Sequence, residues 1–111
     1  MMQVEQLPSS TPHPVTAGSF QHTKENGPLL HDFQGEILIV IEPYGISDVF
    51  CRNQYSGQAM LRKAAMWCVN LRKLKDARFY AGVMTSKGGR FHRISRNKAI
   101  EHVGQWIFGS I

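Results

Sequence analysis

A chain of 111 residues, 42% hydrophobic and with eleven aromatics, is long enough for one core and too apolar for a disordered polymer. Between Arg52 and Lys98 twelve Lys/Arg stand against a single acid, Asp76, although the whole chain is only +5. That skew favours a polyanionic partner, nucleic acid first, while apolar runs no longer than 37–41 and 64–69 exclude a membrane helix, which needs roughly 18 apolar residues.

Residues 1–33 read as an N-terminal tail and arm. Pro8, Pro12, Pro14, Gly18, Gly27 and Pro28 interrupt every periodicity, so disorder is expected up to about residue 20, followed by an arm that lays Leu29, Leu30 and Phe33 on the body. Residues 1–6 lack a basic region followed by an apolar one, so no secretory signal is read and a cytoplasmic protein is expected. His13, His22 and His31, spaced nine apart, suit no metal motif.

Residues 34–111 are expected to form a single α+β domain. Gly35-Glu36-Ile37-Leu38-Ile39-Val40-Ile41-Glu42 is apolar at every central position, which predicts a strand covered on both faces. Glu42-Pro43-Tyr44-Gly45 has the Pro and Gly placement of a turn, and 48–53 reads as the return strand. Ser56 is placed to cap a helix over 57 to about 74. Its apolar stripe includes Met60, Leu61, Ala64, Trp67 and Leu71, and Arg62, Lys63, Asn70 and Lys73 take the opposite side, where Met66 also falls. A second hairpin follows, with strands at 78–84 and 90–94 joined by Ser86-Lys87-Gly88-Gly89. Ser95 then caps a helix over 96 to about 108, with Ile100, Val103, Trp106 and Ile107 buried and Gly109 as its stop.

The order ββαββα implies an antiparallel sheet of four strands with both helices on one face. Helices on one face leave the other face of the first strand to be covered by the arm or by a second copy of the chain, and the expectation is a homodimer. Cys51 and Cys68 lack CxxC spacing and read as free thiols in a reducing compartment, with no metal and no cofactor implied.

The chemistry-bearing residues are Arg62 and Lys63 on the long helix, with Lys87, Arg90, Phe91, His92, Arg93, Arg96 and Lys98 on and after the second hairpin. A glycine-containing tip flanked by cations suits phosphate contact, and Phe91 or His92 between them suits stacking on a base. The same pattern also describes a solvated edge hairpin whose cations discourage strand pairing and whose Phe91 is core. Arg72, Lys73 and Lys75 suit the carbonyl end of a helix equally well.

No paired carboxylates, glycine-rich strand-to-helix loop or nucleophile in a recognisable setting suggests an enzyme. His92 between Arg90 and Arg93 is the exception, as the acid/base of a metal-independent ribonuclease. This glycine turn followed by a His-bearing strand resembles one in small toxin ribonucleases of the double-stranded-RNA-binding-like fold, although the initial hairpin departs from that fold. The leading expectation is a small non-enzymatic nucleic-acid-binding protein, an accessory or regulatory factor. The alternatives are a module that meets an acidic protein partner and a domain that binds a small ligand between sheet and helices.

Overall fold

Five consecutive apolar residues at the centre of a strand leave neither face fit for water, and the fold is built around that fact. The computed structural model describes Val15–Thr16 and residues 30–109. In chain order the elements are strand β1 (Val15–Thr16), a 3-10 turn at Leu30–Asp32, strands β2 (Gly35–Glu42) and β3 (Gly45–Cys51), and a 3-10 turn at Arg52–Gln54. Helix α1 (Gly57–Lys73), strands β4 (Arg78–Thr85) and β5 (Gly88–Ile94) and helix α2 (Arg96–Gly109) complete them. The described strands form one antiparallel sheet in the order β1-β5-β4-β2-β3, with β2 paired to β3 on one side and β4 on the other.

Alternation along β2 divides the core in two. Leu38 and Val40 point to the helices, where they join Phe50, Phe79 and Ala81 beneath Met60, Ala64, Trp67 and Leu71 of α1 and Ala99, Val103 and Trp106 of α2. Phe50 is the hub, with its ring centroid 5.1 Å from Trp67, 5.0 Å from Trp106 and 5.6 Å from Tyr55. Ile37, Ile39 and Ile41 point the other way and cluster with Ile46, Val49, Tyr80 and Phe91. None of these seven is more than 5% exposed in the single chain. Leu30 belongs to the same cluster and Phe33 packs against it, as expected of the arm; Leu29 lies outside the described residues. The face away from the helices is therefore dry without a second copy, which removes the reason for invoking a homodimer to cover it.

Several boundaries differ from the sequence reading. The first return strand starts at Gly45 rather than residue 48, and residues 52–54 leave it as a 3-10 turn. The register shifts between Val40↔Asp48 and Ile41↔Ile46, so Ser47 is an extra residue in the strand, and its hydroxyl donates to the Val40 carbonyl at 3.3 Å. The shift puts Ile46 and Val49 on the same face although they are three apart. The second hairpin closes on Ser86 and Lys87 alone, with β5 starting at Gly88 instead of residue 90. Gly88, just after the two turn residues, takes a positive φ of +112°, which glycine adopts freely, and Thr85 Oγ1 donates to the Gly88 carbonyl at 2.8 Å. Gly109 is the last residue of α2 rather than a stop beyond it. The expectation of disorder to about residue 20 falls outside the described residues except at β1, where Val15 and Thr16 pair with Phe91 and Arg90.

Cys51 is buried and Cys68 half-buried, and both are free thiols. Among the described residues no helix is long and apolar enough to cross a membrane, and no cluster of His, Cys, Asp or Glu suits a metal. His13 and His22 lie outside the described residues.

Candidate nucleic-acid interface

Successive side chains of a strand point to opposite faces, so β5 cannot present all of its chemistry to one ligand. Arg90, His92 and Ile94 stand opposite Val83, Ala81 and Phe79 on the helix side, whereas Phe91 and Arg93 stand opposite Gly82 and Tyr80 on the other. Phe91 is fully buried at 0% exposure, and its ring lies across Gly82, where an added Cβ would come within 2.6 Å of Phe91 Cδ1. The expected stacking of Phe91 on a base is thereby corrected: this ring is core. Arg93 is half-buried beside Tyr80. Burial pushes the Tyr80 phenol above its ordinary value, while the charges of Arg78 and Arg93 pull it back.

The remaining cations divide by what they touch. Lys87 at the tip and Arg90 on β5 are exposed and meet no acid among the described residues. Arg62 is equally exposed on the outer side of α1. Lys63 instead turns to the sheet, with its ammonium 4.0 Å from Asp48 Oδ1 and 5.7 and 5.5 Å from the Phe50 and Tyr55 ring centroids. The guanidinium of Arg96 donates to the Leu71 carbonyl and lies 5.3 Å over the Phe79 ring, which makes it a clasp between the end of α1 and the start of α2. Lys98 is paired with Glu101 at 3.0 Å. The structure thus brings Lys87, Arg90 and His92 together on the hairpin, with Arg93 on its other face. Arg62 and Lys63 are not joined to that group, because α2 packs on β4 and against α1 and so lies between them.

The helix side of the hairpin opens into a groove of about 170 Å³ between the sheet and α2, lined by Leu38, Ala81, Val83, His92, His102 and Trp106. Glu36 stands on its rim, held by Arg52 Nη1 at 2.6 Å. Val83 is 50% exposed here, an apolar spot between Glu36 and Arg90 across the strands. His102 lies below its ordinary pKa, first because burial penalises the imidazolium, then because of the Lys98 ammonium, with His92 adding to the effect and Glu101 and Glu36 opposing it. The groove therefore offers a neutral ring at His102 opposite His92, beside a cationic edge at Arg90. That arrangement can accept or donate hydrogen bonds to a base edge or sugar while Arg90 and Lys87 hold phosphate.

His102 was not among the residues singled out from sequence. Its only signal is its place one step off the Ala99–Val103–Trp106 stripe, and a helical wheel does not say which flank of that stripe meets β5. No family model, curated protein or solved structure matches this chain.

Proposed function

We propose that this protein is a small non-enzymatic nucleic-acid-binding factor whose contact element is the β4–β5 hairpin. One observation carries the reading: the hairpin has Lys87 at its tip, Arg90 and His92 on its helix face and Arg93 on the opposite face, with no acid anywhere from residue 77 to 100. Cations at the tip and on both faces of this part of the sheet suit phosphate contact, and the exposed Val83 with His92 and His102 supplies contact to bases or sugars.

Fluorescence anisotropy with labelled single-stranded RNA and duplex DNA tests it. Affinity is expected to fall steeply between about 50 and about 200 mM salt, and changing Lys87, Arg90 and Arg93 together to Ala should flatten the duplex slope of log K against log salt by about 2.7, at ~0.9 per lost phosphate contact. No binding at about 50 mM salt, or an unchanged slope in the triple variant, refutes the proposal. Metal-independent cleavage of the RNA probe would instead assign His92 an acid/base role.

A second reading rests on α1, whose seventeen residues contain no acid and which leaves Leu61, Met66 and Val69 exposed beside Arg62. This face suits an acidic protein partner with apolar contact at its centre. Loss of such a partner on changing Arg62 and Met66 to Ala, with nucleic-acid affinity intact, would choose it.

A further inference from the structure

A second site lies at the opposite end of the helix-side face from the histidine groove. The C-terminal half of α1 and the β2–β3 hairpin enclose a cleft of about 220 Å³. Its apolar lining is Val40, Trp67, Leu71 and Leu74. Its polar lining is divided by wall: Glu42, Ser47 and Asp48 come from the strands, and Asn70 and Lys73 come from the helix.

Three of those five polar side chains are unengaged. Asp48 accepts the Val49 amide at 2.8 Å and faces Lys63, but Glu42, Asn70 and Lys73 make no side-chain hydrogen bond or ion pair with any described residue. Glu42 and Lys73 do not pair with each other, although both line the cleft. Trp67 also lines the cleft. It is 2% exposed, and its indole N–H is buried with no acceptor. A buried donor left without a partner is rare, because it forfeits its bond to water and gains nothing in return.

The charge arrangement selects among ligands. A plain anion would face Glu42 and Asp48, and a plain cation would face Lys73, so neither satisfies both walls. A molecule with a positive and a negative end does, provided that its body is apolar enough for Val40, Leu71 and Leu74.

We propose that this cleft binds a zwitterion of the size and chemistry of an apolar α-amino acid. Its ammonium is held by Glu42 and Asp48, and its carboxylate takes Lys73 and Asn70. The site is separate from the nucleic-acid surface and shares no residue with it, so either reading stands or falls without the other.

The test is isothermal titration calorimetry of the full chain with free Leu, Ile, Val, Met and Phe, each compared with its amide, which lacks the carboxylate, and its N-acetyl form, which lacks the ammonium. Tryptophan fluorescence provides a second readout, with a Trp106→Phe variant isolating Trp67. Saturable binding of at least one free amino acid is expected, weakened about tenfold or more in both derivatives, as for loss of a charged hydrogen bond. Glu42→Gln and Lys73→Ala, both at the rim, should each weaken it by a similar factor with the melting temperature unchanged. No saturable binding by any of the five, or binding that ignores the loss of either charge, overturns the proposal.

Discussion

Two glycine-to-alanine substitutions should move stability in opposite directions, and the reason can be worked from the spaces around them. At Gly82 in β4 an added Cβ would fall against the Arg90 carbonyl oxygen, well inside contact, and 2.6 Å from Phe91 Cδ1. The first obstacle is backbone of the paired strand and the second is a ring held at 0% exposure, so neither can yield without separating β4 from β5 or displacing core. Overpacking of this kind costs about 1–3 kcal/mol, and the reduced freedom of the unfolded chain returns only about 0.4–1 kcal/mol of it. Gly104 sits inside α2, and a Cβ there meets nothing within 4 Å. Ala should therefore stabilise by about 0.5–1 kcal/mol at that position. With a shift of roughly 4–8 °C per kcal/mol for a domain of this size, Gly82→Ala should lower the melting temperature visibly and Gly104→Ala should raise it by a few degrees. Urea unfolding followed by circular dichroism measures both. An unchanged midpoint for Gly82→Ala would refute the close approach of Phe91 to β4, and with it the account of why Phe91 is core rather than contact.

Ser95 and Ser56 form another contrast. The Ser95 hydroxyl accepts the Lys98 amide at 3.1 Å, whereas Ser56 makes no side-chain cap bond, so thermal unfolding should show a loss of about 1 kcal/mol for Ser95→Ala and almost none for Ser56→Ala. His102 binds its proton less readily folded than at its ordinary value of 6.5, so the unfolded chain takes up more protons as pH falls through that range. Its contribution to stability is complete above the ordinary value and lost on acidification; the melting temperature should fall between about pH 7.5 and about pH 5, and His102→Gln should flatten that fall. Stopped-flow binding should separate two kinds of cation: Arg72→Gln slows association and leaves dissociation unchanged, whereas Arg90→Ala mainly speeds dissociation.

Much of the architecture was legible because it rests on periodicity. The unbroken apolar run in β2 implied two covered faces, and the three- and four-residue steps from Met60 to Leu71 implied a helix with one buried stripe. The start of β3 was hidden because the bulge at Ser47 breaks alternation: with one extra residue, Ile46 and Val49 share a face that strict counting would deny them. Phe91 was open to a better reading, since a strand with Arg at 90 and 93 and apolar residues at 91 and 94 must place Phe91 and Ile94 on different faces. Arg96 was not open to one. Its partner is a main-chain carbonyl at Leu71, twenty-five residues away, and every residue has such an oxygen, so nothing in the sequence distinguishes this one.

The placement of the cations also separates two effects that a net charge merges. Arg52 with Glu36, Lys63 with Asp48 and Lys98 with Glu101 are ion pairs, and at distances beyond the Debye length each acts as a small dipole with little pull on a polyanion. Arg72 and Arg96 are equally committed in geometry, but their partners are the carbonyls of Cys68 and Leu71, which carry no formal charge. Both keep their full positive charge in the long-range field while being less free to touch a phosphate. Lys87 and Arg90 contribute to the field and are free to make contact. Steering should accordingly depend on a wider set of residues than contact does. Under the proposed function, nucleic acid would be attracted by this wider set and held through a few side chains at the tip of one hairpin.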